Sequence, residues 1–567
     1  MTMKRFWKYS SFVVAIAIMT TLTAHASVIN IDVNTIKGDL TRELRALGEK
    51  TNVNDTLTLN FGKGNYTIYG TIQFWCNVVV TGEGSDKTTI ILDNGKDKNG
   101  FKAFKDDSFI KIIGRLEHPV SVSIRNLSIK LNEHQGIWWA DKEIYAVKLY
   151  HSNHVEINNV DSYMANANIT NFDMRVCSNI TVTNCNITNY NNSEIGGCLW
   201  VRGEAHNIVI SHNKFYKYGK DETLAFFSRL VNANDYIRGS VSRSDIIVSD
   251  NDFYYGGYNK EDKNTSSINH MIVSLFTDNK KSKEECSTSN FKLINNSFHI
   301  DDICTRCMYI SFDPADTHHG IYIQNNTITN SALNTNKMYY RQDIEINDLS
   351  NSNDTIHIVG NSITNYDVVN NGSGSTGYSF LLMQGGNVEI KDNKIVNKAT
   401  VNPSDGKMTG VQLVWCGVQG GTVTMTDNVC KGIKFISTVG AENGTETFTL
   451  NASNNYFAGD TRIYCNKINQ LHLDFTGNTF VSEDMNFFLQ EFASRGTLVF
   501  SNNDVTINKG NGQLMTHWDK KNSTNNMRFD RLEVNNNIFR GVKSEQDLFQ
   551  NITNVKKRKV RNNRLSR

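Results

Sequence analysis

Residues Asn207–Phe215 read NIVISHNKF. The skeleton is an apolar residue, a spacer, a second apolar residue, a bend carrying Asn213, and a large apolar residue. It returns as NITVTNCNI (179–187), DIIVSDNDF (245–253), GIYIQNNTI (320–328), TIHIVGNSI (355–363), NVEIKDNKI (387–395), TLVFSNNDV (497–505) and RLEVNNNIF (531–539). Counted by the bend asparagine there are fifteen coils: Asn126, Asn159, Asn184, Asn213, Asn251, Asn296, Asn326, Asn361, Asn393, Asn428, Asn455, Asn478, Asn503, Asn537 and Asn563. The gaps run from 23 residues (455 to 478) to 45 (251 to 296). Periods in this range mark stacked-repeat architectures.

Upstream of the bends lies a second alternating segment in each coil, such as AVKLY (146–150), FDMRV (172–176), CLWVR (198–202), MYISF (308–312), DIEIN (343–347) and SFLLM (379–383). Alternation of period two puts one face in and one face out. Each coil therefore reads as two strand-like pieces. One coil buries too few apolar side chains to offset the conformational entropy of ordering it. Stacking closes that gap, because every strand pairs with the coils above and below. Parallel strands without helical connections predict an all-β, single-stranded parallel β-helix. The bend asparagines are expected to bond the turn and the next coil's asparagine in a ladder, a structural role.

The chain carries 59 basic and 57 acidic residues, so global charge points to no partner and any charge argument is local. Residues 1–26 read as a signal peptide: Lys4, Arg5 and Lys8, an apolar core Phe12–Leu22, and the small-x-small site Ala24-His25-Ala26. Cleavage after Ala26 and a bacterial periplasmic or secreted location are expected. No later stretch reaches the apolar length of a spanning helix. Residues 27–99 read as an N-terminal cap with the first coils, and 100–567 as the repeat domain. In the cap, Asp39 suits a helix N-cap, Leu40, Leu44 and Leu47 recur at helical spacing, and Gly48 is read as the helix end. Gly82 and Gly84 fit a strand–turn–strand better than a phosphate loop, since no helix pattern follows. Ten cysteines show no metal-ligand spacing, and Cys304-x-x-Cys307 has no second pair. Most are expected to point inward as small hydrophobes. A disulfide at 304/307, or among Cys177, Cys185 and Cys198, is the alternative.

The N-terminal GDLTRELRAL, LNFGKGNYTI and VVVTGEGSDKTTI, followed by the NxxIxxNxF coils, resemble pectin-lyase-like right-handed parallel β-helix proteins. The resemblance covers nearly the whole chain after residue 26 and implies a right-handed β-helix with a capping helix. It implies no single activity, since that class hosts lyases, hydrolases, epimerases, esterases, tailspikes and adhesins. It does imply a cleft on the strand preceding the Asn-bend strand. The Gly-His-Gly and Arg-x-Lys motifs of polygalacturonase-like hydrolases are absent, as are the clustered Asp ligands of calcium-dependent pectate lyases. No cofactor is expected; calcium stays open although no ligand cluster is seen.

On the upstream strands, Lys148, Arg175, Arg202 and Arg229 recur every 27 residues. Alternation predicts a column of bases on the outer face. Neighbouring coils lie roughly 4.8 Å apart, so such a column calls for an anionic neighbour. Asp173 and Glu204 are candidates within the chain; a uronate or sulfated polysaccharide is the external one. Tyr150, Trp200, Trp138 and Trp139 suit sugar rings. Cleaving a uronate by β-elimination needs a cation on the carboxylate, a base for the C5 proton and an acid for the leaving oxygen. Lys148 or an arginine is the candidate base, Tyr150 or His206 the acid, and Arg175 and Arg202 the carboxylate clamp. Hydrolysis would instead use paired carboxyl groups, with Asp173 and Glu204 as the candidates. Asp313, Asp316, His318, His319, Asp343 and Glu345 read as a polar loop and a solvated strand face. The sequence thus predicts a carbohydrate-active enzyme on an acidic polysaccharide, a lyase ahead of a hydrolase. A non-catalytic glycan binder or adhesin is the alternative. A monomer is expected, with no nucleic-acid partner.

Overall fold

A computed structural model describes residues 26–93, 107–132, 144–165, 169–190, 196–219, 221–228, 241–256, 271–277, 285–301, 306–330, 341–366, 378–398, 411–417, 419–432, 435–439, 446–459, 462–466, 469–482, 486–488, 495–509, 513–516, 529–548 and 555–566. The signal segment, Trp138, Trp139, Arg229 and Cys304 lie outside the described residues. Among the described residues forty-three strands join one hydrogen-bonded network. Its strand pairs are parallel and link each coil to the next, as in Val147↔Phe172, Phe172↔Leu199 and Leu199↔Leu224. This is the expected parallel β-helix. Among the described residues no helix is long and apolar enough to cross a membrane.

Among the described residues the coils from Leu224 onward mostly contribute three strands rather than the two pieces read from the sequence, and in the coils just before them one strand, such as Leu199–Ser211, runs through the first two positions. NIVISHNKF itself spans two of them, the end of Leu199–Ser211 and the start of Lys214–Tyr218. The turn between them is too tight to interrupt the apolar pattern, so two strands read as one. The strands therefore form three sheets. Leu224–Phe227 and Met271–Phe276 belong to the first, Val241–Ser249 and Cys286–Ile294 to the second, Asp252–Tyr255 and Ser297–Ile300 to the third. Inward residues stack in rows. Phe215, Phe253 and Phe298 stack with centroids 4.9 Å apart, at interplanar angles of 8° and 6°.

The bend asparagines divide into two kinds. From Asn213 to Asn537 each one is linked to the asparagine of the next coil, and Asn563 ends the ladder. Asn361 shows the pattern: its backbone N–H and its Nδ2 donate to Asn393 Oδ1 at 2.8 and 2.9 Å, and Nδ2 also donates to Ile323 O at 2.9 Å. The residue before each ladder position takes positive φ, as at Asn325 (55°) and Gly360 (68°). In the first three coils the registered asparagine is that positive-φ residue instead: Asn126 (58°), Asn159 (53°) and Asn184 (57°). Leu127, Val160 and Cys185 then fill the ladder position and are buried. Asparagine serves both sites because its short amide tolerates the left-handed region and also bonds locally.

The cap is a helix, Leu40–Lys50, with Asp39 as its N-cap; the Asp39 carboxylate accepts from Arg42 N at 3.1 Å. The helix runs past Gly48, contrary to the reading of that glycine as its end. Gly48 is a contact point: a Cβ there would lie 2.1 Å from Gln73 O. Leu44 and Thr41 are buried with it against the first coils. Among the described side chains eight cysteines are buried: Cys76, Cys177, Cys185, Cys198, Cys286, Cys307, Cys416 and Cys430; Cys177, Cys185 and Cys198 are thiols rather than a disulfide. Burial pushes the thiols of Cys177 and Cys198 up to about 12.

Candidate functional site

The first sheet's outer face carries two rows of side chains. One runs Lys148, Asp173, Trp200, Ala225, Ser274, Tyr309, Glu345. The other runs Tyr150, Arg175, Arg202, Phe227, Phe276, Ser311, Asn347. Lys148, Arg175 and Arg202 lie on the outer face as alternation predicts, but they do not stand in the one column expected. Lys148 stands level with Asp173, and Arg175 level with Tyr150. Loop lengths shift the strand register by two residues between these coils, which sequence spacing does not reveal.

The bases are not a solvent-facing column either. Lys148 and Arg202 are 5% exposed, Arg175 1% and Asp173 0%. Burial of this kind is tolerated only when charges are paired, and carboxylates supply the pairs. Arg175 Nε donates to Asp173 Oδ2 at 2.6 Å, and Arg202 Nε lies 2.8 Å from Asp173 Oδ1. Lys148 Nζ is 2.6 Å from Asp107 Oδ2, and Lys111 Nζ is 3.6 Å from Asp107 Oδ1. Tyr145 closes the cluster: Arg175 Nη2 donates to its hydroxyl oxygen at 2.7 Å. Lys148 Nζ and Arg175 Cζ lie 5.2 and 5.1 Å from the Tyr145 ring centroid. The Arg202 guanidinium lies 4.7 Å from the Trp200 ring and 5.1 Å from that of Phe227.

Two of these groups are displaced in the sense that chemistry uses. Burial, then the Arg175 charge, lowers the Lys148 ammonium against the opposing pull of Asp107 and Asp173. Burial works to raise the Asp107 carboxyl, but Lys148 and then Lys111 override it and hold it well below the usual carboxylate range. Lys148 therefore gives up its proton more readily than an ordinary lysine, and Asp107 stays ionised beside it.

Glu204 and His206 do not join the cluster. Both follow Gly203 (φ 76°), where the strand turns from the first sheet toward the second. His206 Nε2 is 3.3 Å from Glu204 Oε1, and its Nδ1 is 2.9 Å from Ser244 Oγ on the next coil. Asp173 instead stands level with Trp200, so the Asp173–Glu204 pair read from the sequence is not one facing pair.

Asp107 and Tyr145 were missed. Asp107 precedes the regular coils, where no repeated pattern singles it out. Tyr145 has the inward parity of Val147, yet it faces out. Ala146 and Val147 are consecutive core residues, as are Phe109 with Ile110 and Cys198 with Leu199. That doubled core position inverts the parity before it. Tyr145 accordingly groups with Trp200, Ala225 and Phe227 in an apolar cluster separate from the core. A repeated pair of adjacent small or apolar residues at one register position was the available signal.

Inside the same coils lies a buried polar network. Lys217 is 0% exposed and its Nζ donates to Asn189 Oδ1 at 2.8 Å and to Gly196 O. Burial lowers Lys217, and burial followed by the Asp221 carboxylate raises Glu222 well above the usual range.

Further along the face, Asp343 and Glu345 are 1% and 4% exposed, so they are not the solvated face read from the sequence. Glu345 pairs with Arg306 Nε, and Asn347 Nδ2 donates to Glu345 Oε1 at 3.1 Å and to Tyr309 Oη at 3.3 Å. Asp316 serves the loop, accepting from Cys286 N and Asp313 N at 2.9 and 2.7 Å. His318 is buried against Asp348 at 2.8 Å, while His319 meets Asp354 at 2.9 Å. Among the described residues no three His, Cys, Asp or Glu side chains are grouped to hold a metal ion.

No protein-family model matches the chain, and no curated protein matches it. Among solved structures it is similar to the catalytic domain of a GH87 α-1,3-glucanase in complex with tetrasaccharides. That match has 9% identity and a TM-score of 0.24, and covers 90% of this chain and 69% of that one. It is also similar to the PL6 family alginate lyase AlyGC, with 10% identity and a TM-score of 0.19, over 95% of this chain and 100% of that one. The fold assignment here rests on this chain's own strand pairing.

Proposed function

We propose that this chain is an exported carbohydrate-active enzyme that cleaves an acidic polysaccharide by β-elimination at the Lys148–Arg202 cluster. One observation carries the reading. Among the described residues Lys111, Lys148, Arg175 and Arg202 gather around Asp107 and Asp173 in a largely water-excluded group. In low dielectric, gathered cations act on an anionic ligand far more strongly than they would in water. The aromatic neighbours Tyr145, Trp200 and Phe227 suit the apolar faces of sugar rings.

Roles follow from position. Lys148, lowered by burial and by Arg175, takes the proton α to the substrate carboxylate. Asp107 orients it. Arg202 and Lys111 meet the carboxylate and stabilise the charge that develops on it. Tyr150, level with Arg175, returns a proton to the leaving oxygen. Arg175 and Asp173, the most buried members, hold the others in place. A hydrolase is the second reading, in which Asp107 and Asp173, both paired within the cluster, would be its two carboxyl groups.

Incubation with uronate and sulfated polysaccharides tests the proposal. Ultraviolet absorbance from an unsaturated product is expected with at least one uronate. Reducing ends without that absorbance would favour the hydrolase. Binding with no product would leave a glycan-binding protein. Export is tested by N-terminal sequencing of the native protein, with a start at Ser27 expected.

A further inference from the structure

Glu204 and His206, which stand apart from the Lys148–Arg202 cluster, belong to a hydrogen-bonded chain of their own. His206 Nε2 lies 3.3 Å from Glu204 Oε1, and His206 Nδ1 lies 2.9 Å from Ser244 Oγ. Ser244 Oγ also lies within donating distance of Asp245 Oδ2, at 2.8 Å, and Asn290 Nδ2 donates to Asp245 Oδ1 at 2.9 Å. The chain crosses three successive coils on the outer side of the second sheet, where Ser178, His206, Ser244 and Ser289 stand level. Glu204, His206 and Ser244 are half-buried, so a ligand in solution reaches them.

The backbone is built to bring Glu204 there. Between Arg175 and Cys177 one coil has a single residue, Val176. The next coil has two, Gly203 and Glu204, between the paired Arg202 and Ala205. An extra residue of this kind re-aims a side chain. Here, with Gly203 at φ 76°, it sets a carboxylate beside the imidazole. A cross-strand pair that only stabilises a sheet needs no such insertion. The Glu204 carboxylate accepts, which assigns the hydrogen to Nε2 and turns the Nδ1 lone pair to Ser244 Oγ. Ser244 thus has a proton acceptor on either side, His206 Nδ1 and Asp245 Oδ2. The Asn290 amide, and then Ser244, hold the Asp245 carboxyl below its ordinary value. A hydroxyl with a base in hydrogen-bond reach, and a third group orienting that base, is the arrangement of an activated nucleophile.

We propose that Ser244, His206 and Glu204 form a second catalytic site, which hydrolyses small acyl esters on sugar hydroxyls. Ser244 Oγ attacks the acyl carbon, and its proton passes to His206 Nδ1. The carbon–oxygen bond to the sugar breaks, and the imidazolium returns that proton to the sugar oxygen. Water then gives a proton to Nδ1 and attacks the acyl-serine. The carboxylic acid leaves as His206 hands the proton back to Ser244 Oγ. Glu204 is a positioning residue: it orients the imidazole and stabilises its charged form. Asn290 Nδ2 uses one hydrogen on Asp245 and keeps a second for the charge that develops on the acyl oxygen. The sugar as carrier rests on the acidic-glycan reading, since Glu204 lies two residues from Arg202; the ester chemistry stands without it.

Hydrolysis of p-nitrophenyl acetate tests the chemistry without any glycan, and acetate release from an O-acetylated polyuronate tests the carrier. A fluorophosphonate probe, mapped by peptide mass spectrometry, locates the nucleophile. The adduct is expected on Ser244. Ester hydrolysis should fall at least about 100-fold in Ser244→Ala and in His206→Asn. Glu204→Gln should lower kcat by at least about tenfold with KM kept, since it orients the base and does not bind the ester. Ser178→Ala, level with His206 on its other side, should keep the wild-type rate, and thermal melts confirm that each variant folds. No hydrolysis of either ester by the wild type, an adduct on another residue, or a Ser244→Ala rate equal to wild type would overturn the site. Hydrolysis of p-nitrophenyl acetate alone would keep the triad and remove the sugar as carrier. Ester hydrolysis by a protein that forms no unsaturated product from any uronate would keep the triad and remove the β-elimination reading.

Discussion

At the scale of single residues, burial separates side chains that look alike in the sequence. Asn361 and Asn207 are both asparagines at coil bends. Asn361 is 1% exposed and holds three groups of its neighbours: Asn326 N and Nδ2 donate to its Oδ1 at 2.8 and 3.0 Å, and it donates to Ile323 O. Each buried group left unpaired costs about 1–3 kcal/mol. Asn361→Ala should therefore lower stability by roughly 3 kcal/mol or more in urea titration. Asn207, exposed and at φ 55°, should tolerate Asn207→Gly with a change within about 0.5 kcal/mol. Equal losses at both sites would contradict the ladder account. Glu222 gives a pH test. Its folded pKa is raised by burial and by Asp221, so the native state binds protons more tightly than the unfolded chain does. The stabilisation from the protonated form is full below the unfolded carboxyl range and is lost as pH rises through the folded value. Glu222→Gln should raise the melting temperature at pH 8, and this gain should shrink steadily toward pH 5. A gain independent of pH would show that Glu222 does not titrate in this way.

At the scale of elements, the helix Leu40–Lys50 depends on one close approach. Gly48→Ala puts a Cβ on Gln73 O and within 3.1 Å of the Phe74 ring, so the helix must lift from the first coil. Hydrogen exchange should then rise across 40–50 while the ladder coils stay protected; unchanged protection there would mean that the contact is slack. This same glycine marks where sequence reading stops. As a residue it looks like a helix terminator, and only the backbone packed against it makes it a contact. The coils were legible because inward rows repeat, and repetition survives changes in loop length. The strand count was not, since the turn at Asn213 joins two strands without breaking the apolar pattern. The site was legible by face, through the parity of Lys148, Arg175 and Arg202. It was not legible by row, because register depends on loop geometry. Tyr145 escaped because the doubled core position at Ala146 and Val147 reverses parity just before it.

At the scale of the whole molecule, the fold provides a long rigid face, and function depends on where charge gathers on it. The chain is nearly balanced at net +2, so the gathering of cations around Asp107 and Asp173 is a local property. Binding of an acidic glycan there should weaken as salt rises, though less steeply than binding to an exposed basic patch, because the cluster is buried. Acid should also weaken the site. Asp107 is held below its unfolded pKa, so its contribution is present above the unfolded carboxylate range and is lost as pH falls toward the folded value. The central claim is that Lys148 carries the proton transfer in cleavage. The most direct test is the initial rate of unsaturated-product absorbance for wild type and Lys148→Met on the same uronate, with matched thermal melts and matched substrate affinity. The account predicts a fall of at least about 100-fold in kcat with binding largely kept. A variant that binds, folds and turns over at the wild-type rate would contradict it.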